Sequence, residues 1–201
     1  MNAPIIVGVL ALQGAFDAHV TRLRTLGVEV RLVKTPLDVI GTHGLILPGG
    51  ESTTMSNLMV SSGLQLTLAE KIREGFPLFG TCAGMIMMSR HILDGRSDQI
   101  SLGALDIRVR RNGYGRQIDS FEQDVQIDGF ETPFHALFIR APIIAEVGSE
   151  VEILARVEDR PVMVRQGSAL AASFHPELVS DLRVHEIFLS IINEFNSTHT
   201  R

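Results

Sequence analysis

Apolar positions along this chain follow two rhythms. Ile5 to Leu12 and Leu45-Ile46-Leu47 are apolar almost throughout, the pattern of strands covered on both faces. Val28 to Val33 is predicted as another strand between them. Ala15 to Leu26 instead places Phe16, Val20, Leu23 and Leu26 at helical spacing, with Gly27 as the stop. Pro36 to Ile40 predicts a helical turn. A helical segment is expected after Pro48-Gly49-Gly50-Glu51-Ser52-Thr53-Thr54, a further helix over Leu64 to Glu74, and a strand over Pro77 to Phe79. The first ninety residues thus alternate strand and helix, which argues for a parallel sheet with helices on its faces.

The second half changes character. Leu105 to Val109 alternates apolar with charged residues, and Asn112-Gly113 signals a turn. Ala136 to Ile139, Val151 to Val157, Pro161 to Val164 and Ala169 to Phe174 read as closely spaced strands, with Glu158-Asp159-Arg160 as a hairpin tip. Together they predict a partly antiparallel extension of the sheet. Leu182 to Phe195 is an amphipathic helix, and the polar stretch from Asn196 to Arg201 is expected to stay unpacked.

Composition narrows the class. A chain of 201 residues, 45% hydrophobic and 20% charged, is expected to form one globular domain over 1–201. Its net charge of -5 gives no electrostatic reason for nucleic acid or an anionic membrane as partner. A single cysteine cannot form an internal disulfide, so a reducing, cytoplasmic setting is expected. Met1-Asn2-Ala3-Pro4 lacks a basic n-region. No apolar run approaches the roughly 18 residues of a membrane helix.

That one cysteine stands in Phe79-Gly80-Thr81-Cys82-Ala83-Gly84. A strand-type run stops at Gly80 and a helix-type run, Met85 to Met88, begins after Gly84. Gly-x-Cys-x-Gly at such a junction is a nucleophile elbow with sulfur in place of oxygen. The sharp turn crowds neighbouring backbone, and glycine has no Cβ to clash. It also sets the sulfur at a helix N-terminus, whose partial positive charge stabilises a negatively charged sulfur. A free cysteine is otherwise a small buried hydrophobe; the glycine bracket argues for the reactive reading. The methionines at 85, 87 and 88 are assigned to the core.

A nucleophilic thiol needs a base and a group to orient it. His175 follows the strand that ends near Phe174, and Glu177 stands two positions on. If the chain stays extended through Pro176, both side chains point to one side. The alternative is a surface histidine beside a turn. His19 reads as a helix-face residue, His185 lies early in the last helix, and His43, His91 and His135 have no carboxylate two positions on. Donors for an oxyanion are expected from the N–H of Ala83 and from the Gly49-Gly50 loop. Arg110-Arg111 and Arg140 lie at strand ends and could bind a carboxylate. Ligands in open α/β sheets sit at the carboxyl ends of the strands, where Gln13, Gly49-Gly50, Cys82 and the residues after Phe174 can converge. No metal-ligand spacing, dinucleotide fingerprint or Walker A sequence is present.

Phe79 to Gly84, Leu47-Pro48-Gly49-Gly50-Glu51-Ser52-Thr53 and Ser173-Phe174-His175-Pro176-Glu177 together resemble class I (triad) glutamine amidotransferases. Within that class the chain is similar to the family of glutaminase subunits of pyridoxal 5′-phosphate synthase. That narrower likeness rests on Gly8 to Gly14, Gly49 to Met55, Arg111-Asn112, Gly115-Arg116-Gln117, Asp119 to Glu122 and Phe138 to Pro142. It runs from about residue 5 to about residue 190, and Asp94 to Ser101 lies outside its diagnostic motifs. The resemblance implies a flavodoxin-like α/β fold, with a mixed, mainly parallel sheet and helices on both faces. It implies Cys82 as nucleophile, His175 as base and then acid, and Glu177 as orienter. L-Glutamine would bind through Gly49, Gly50, Glu51, Arg111, Ile139 and Arg140, with Gly50 and Ala83 as oxyanion donors. The ammonia would pass to a separate synthase subunit in a large hetero-oligomer that switches the glutaminase on. Pyridoxal phosphate would be the product of that complex, and no cofactor is expected on this chain. A flip of the Gly49-Gly50 peptide is one expected route of activation. The alternatives are a glutaminase serving histidine or nucleotide synthesis, and a non-catalytic regulatory module on the same fold.

Overall fold

The computed structural model describes residues 4–111 and 120–199. Its strands and helices alternate through the first half: β1 (Ile6–Leu10), α1 (Phe16–Thr25), β2 (Glu29–Val33), α2 (Pro36–Val39), β3 (Gly44–Leu47), α3 (Ser52–Ser61), α4 (Leu64–Arg73), β4 (Leu78–Thr81) and α5 (Ala83–Met88). There follow β5 (Ser89–Ile92), β6 (Leu105–Arg110), β7 (Ser120–Val125), β8 (Phe134–Ile139), β9 (Ile143–Val147), β10 (Glu152–Val157), β11 (Arg160–Gln166), β12 (Ala169–Ala172), a single 3-10 turn over Pro176–Leu178, and α6 (Arg183–His199).

The central sheet has seven strands in the order β10-β11-β12-β4-β3-β1-β2. The five from β12 to β2 are parallel, and β10 and β11 add an antiparallel edge. Alternate residues of one strand feed opposite faces. In β3, Leu45 and Leu47 join the core under α3, α4 and α5, whereas Ile46 joins Val20 of α1 and Phe188 and Ile192 of α6. In β4, Leu78 and Phe79 divide the same way. Two cores, one on each face, are why these strands carry no polar face.

The second half departs from the expected single extended sheet. Only β10, β11 and β12 extend it. Leu105–Arg110 pairs with β5 and β9 in a separate three-stranded sheet, and Phe134–Ile139 pairs with β7 in a two-stranded ribbon. The three strands that the hydrophobic pattern did not predict are their partners. β7 is exposed along most of its length, and β5 is short and half polar, so neither carries a buried stripe. The expected strand over Pro77 to Phe79 begins one residue later, since proline brings no N–H to a ladder. The end of the last helix is also corrected: α6 continues past Phe195 to His199, while the side chains of Ser197, Thr198 and His199 are exposed, as expected of the polar tail. Glu158-Asp159 forms the hairpin tip, Val157 pairing with Arg160. The turn expected at Asn112-Gly113, the Gly115-Arg116-Gln117 motif and Asp119 lie outside the described residues. Among the described residues no helix is long and apolar enough to cross a membrane.

Candidate active site

Cys82 occupies the one-residue junction between β4 and α5. Its backbone sits at φ 49 and ψ −105, a region that costs a non-glycine residue roughly 1–3 kcal/mol and marks functional turns. The bracketing glycines are required by space. A Cβ on Gly84 would stand 1.9 Å from the carbonyl oxygen of Leu47, and one on Gly80 would stand 2.6 Å from the sulfur of Met88. The Cys82 N–H donates to Ala172 O at 2.9 Å, tying the turn to β12. Met85, Met87 and Met88 are fully buried beneath it. Cys82 keeps a small exposed surface and lines a cavity of about 390 Å³, within the range of small-ligand clefts, roughly 300–1,000 Å³.

His175 lies beyond the end of β12, its N–H donating to Leu137 O of β8 at 2.9 Å. The chain does not stay extended after it, as the spacing argument required. Pro176–Leu178 coils into a 3-10 turn. The turn folds Glu177 back beneath the ring, and His175 Nδ1 meets Glu177 Oε1 at 2.7 Å. Arg22 of α1 fixes the turn from below, Nε donating to Glu177 O at 3.0 Å. Burial alone would push the imidazole pKa down. Hydrogen bonds and charge from Cys82 on one side and Glu177 on the other outweigh it and raise it to about 10. Burial likewise opposes ionisation of Glu177, but the two imidazoles beside it hold its pKa below the usual carboxylate value.

The remaining candidates gather around the same cavity. Gly49, Gly50, Glu51, Arg111, Ile139 and Arg140 all line it, together with Gln13 and Leu178. A Cβ on Gly49 would stand 2.5 Å from the His175 ring. The Gly49 carbonyl accepts from Ala15 N–H at 3.0 Å, so a flip of the Gly49-Gly50 peptide must first break that bond. Glu51 is committed to structure. Its carboxylate caps α3 by accepting from the amides of Thr53 at 3.0 Å and Thr54 at 2.6 Å. These bonds overcome the upward push of desolvation and bring its pKa to about 2. Its N–H donates to Gln13 Oε1 at 2.9 Å.

Arg111 is aimed by Glu51 and by two residues that sequence reasoning left without a role, Asp94 and Gln99. Its N–H donates to Asp94 at 2.7 Å, and its guanidinium meets Gln99 Oε1 at 3.1 Å and Glu51 Oε1 at 3.3 Å. The stretch from Asp94 to Ser101 is therefore the bracket that holds this cation at the cavity wall. Arg140 follows β8 with φ 43. Just before it, the carbonyl of Ile139 lies 3.9 Å from Cys82 Sγ. The N–H of Ala83 opens α5 beside the sulfur, where no acceptor exists within the helix.

Sequence reasoning missed two histidines. His19 and His185, read as ordinary helix residues, are fully buried against Glu177 and each other. Neither has a carboxylate nearby in sequence; α1 and α6 bring them together. Burial lowers both pKa values, that of His185 to about 3. A histidine depressed in this way adds stability in full above its unfolded value, near 6.5, and loses it as pH falls towards the folded value. Unfolding free energy is therefore expected to drop between pH 6.5 and pH 4. His185→Phe should flatten that slope by about 1.4 kcal/mol per pH unit, as measured by denaturant melts at successive pH values.

With this geometry in place, comparison with known proteins is specific. Residues 9–194 match the model of the SNO glutamine amidotransferase family. A pyridoxal 5′-phosphate synthase subunit PdxT from Thermosipho africanus is 49% identical over 188 residues, covering 94% of this chain and 99% of that protein. The subunit of the same name from Thermus thermophilus is 50% identical over 187 residues, covering 92% of this chain and 97% of that protein. A crystal structure of a glutamine amidotransferase superposes with a TM-score of 0.89 at 46% identity, covering 93% of this chain and 98% of the other.

Proposed function

Since this chain belongs to the SNO glutamine amidotransferase family, we propose that it is the glutaminase subunit of a pyridoxal 5′-phosphate synthase. It hydrolyses L-glutamine to L-glutamate and ammonia and hands the ammonia to a synthase subunit in a large cytoplasmic hetero-oligomer. The observation that carries this reading is that Cys82 and His175 share the wall of one cavity, with the imidazole locked from behind to the buried Glu177 carboxylate at 2.7 Å.

In this reading Arg111 and Arg140 hold the carboxylate of the substrate. The Ile139 carbonyl faces the side-chain amide nitrogen, and the sulfur stands below the amide carbon. The sulfur attacks that carbon while its proton rests on His175, which is protonated at neutral pH. The carbonyl oxygen takes the negative charge and is met by N–H groups of Ala83 and Gly50. His175 Nε2 gives its proton to the departing nitrogen, the C–N bond breaks, and ammonia leaves. The neutral imidazole then takes a proton from water, which attacks the thioester carbon. The C–S bond breaks, and glutamate departs. Glu177 keeps the ring in one tautomer throughout.

The test is covalent capture. A glutamine-shaped chloroketone is expected to add one label, placed by peptide mass spectrometry at Cys82 and suppressed by excess glutamine. Failure to label the folded chain even with the synthase subunit present overturns the proposal.

A further inference from the structure

Among the described residues, three buried side-chain atoms near this site have no hydrogen-bond partner: Ser173 Oγ, Glu177 Oε2 and His185 Nδ1. Native interiors pair nearly all such atoms, and a carboxylate oxygen is the costliest of the three to strand. What faces Glu177 Oε2 is Nε2 of His19, at 3.5 Å. The same nitrogen lies 3.1 Å from Oγ1 of Thr81, the residue before Cys82. On the other side of the ring, His19 Nδ1 meets His185 Nε2 at 3.1 Å. His19, Thr81 and His185 are fully buried, and Glu177 is 1% exposed.

The proton positions follow from the partners. A nitrogen beside a carboxylate carries the hydrogen, so His19 Nε2 is N–H. Burial keeps the ring neutral, which leaves Nδ1 bare. His185 Nε2 must then donate to it, and His185 Nδ1, the atom without a partner, is a bare lone pair. An unmet acceptor is tolerated better than an unmet N–H. His185 thus donates to His19, and His19 Nε2, hydrogen-bonded to Thr81 Oγ1, faces the free carboxylate oxygen of Glu177 at ion-pair distance, 3.5 Å. His175 donates to its other oxygen.

We propose that His19 is a positioning residue of the triad: its Nε2–H, fixed in that tautomer by His185, holds the second oxygen of Glu177 so that the first stays aligned with His175. The proposal rests on reading the site as a glutaminase. Charged or titratable neighbours of this row are His175 and Glu177 from the turn, His185 from α6 and Arg22 from α1.

The test compares His19→Leu with His19→Gln, whose side-chain amide can supply an N–H where Nε2 was. Both are assayed as the complex with the synthase subunit. His19→Leu is expected to lower kcat about 10- to 100-fold, as loss of an outer-shell partner of a functional side chain does, with KM for glutamine unchanged. The acid limb of its pH–rate profile moves to higher pH, because Glu177 without its donor ionises at higher pH. His19→Gln restores most of the rate and the acid limb, which a purely structural role would not produce. Nitrogen-15 spectra of the wild-type chain should show His19 protonated on Nε2, independent of activity and of whether the variants fold. A His19→Leu enzyme with wild-type kcat and acid limb, a His19→Gln enzyme as slow as His19→Leu, or a wild-type His19 protonated on Nδ1 overturns the proposal. A wild-type complex that releases no glutamate would instead sink the glutaminase reading, and the nitrogen spectrum would still decide the tautomer.

Discussion

Cys82→Ala is expected to lower glutamate release by at least about 10⁴-fold, because loss of the nucleophile leaves only binding and oxyanion donors to assist water. The fold should survive. Alanine fills most of the space of the cysteine, and the N–H bond to Ala172 O at 2.9 Å is a main-chain contact the substitution leaves in place. Stability should change by no more than about 1–2 kcal/mol. Docking to the synthase subunit should persist, since Cys82 is 8% exposed and faces the cavity. Coupled glutamate assays and thermal melts of the same preparation check both halves. Turnover near the wild-type rate would remove Cys82 from the chemistry.

Gly84→Ala is expected to be severely destabilising. Its Cβ would stand 1.9 Å from Leu47 O and 2.7 Å from Leu47 C. Leu47 is paired with Gly80 in the middle of the sheet, so the obstacle is backbone that cannot swing aside. A loss of at least about 3 kcal/mol is expected, at the upper end of overpacking costs, or no folded protein at all. Gly27→Ala makes the contrast. That glycine has φ +73 with nothing within 4 Å of an added Cβ, so only the left-handed backbone is strained, at about 1–2 kcal/mol. Denaturant midpoints for the two variants separate spatial demand from conformational demand. Equal losses would mean that the elbow is not held against β3 as tightly as these distances state.

The parallel half of the fold was legible because its signal is local. β1, β3 and β4 are short apolar runs, each followed within a few residues by a glycine-bearing turn and a helix. β5 and β7 were not legible, since a strand whose partner covers little of it needs no apolar face. At the site, Cys82 announced itself through two glycines, and Gly84 shows what they are for. The pair His175 and Glu177 was read correctly as neighbours but through the wrong backbone. A 3-10 turn, rather than an extended strand, brings the carboxylate under the ring. His19 and His185 were illegible for a plainer reason. Their partners lie 62 to 166 residues away in sequence, and a buried histidine on a helix face looks like any other until the helices are packed. Arg111 could be nominated as a strand-end cation, but its bracket of Asp94 and Gln99 lies in a stretch with no motif.

A glutaminase that cuts ammonia from glutamine for a synthase partner should be switched on when that partner docks. The direct measurement is glutamate released from glutamine by the purified chain, alone and mixed with an equimolar synthase subunit. Slow release alone, a marked increase on mixing, and none from Cys82→Ala in either condition is the predicted result. No glutamate from the folded wild-type chain, with or without the partner, would mean that this protein is not a glutaminase.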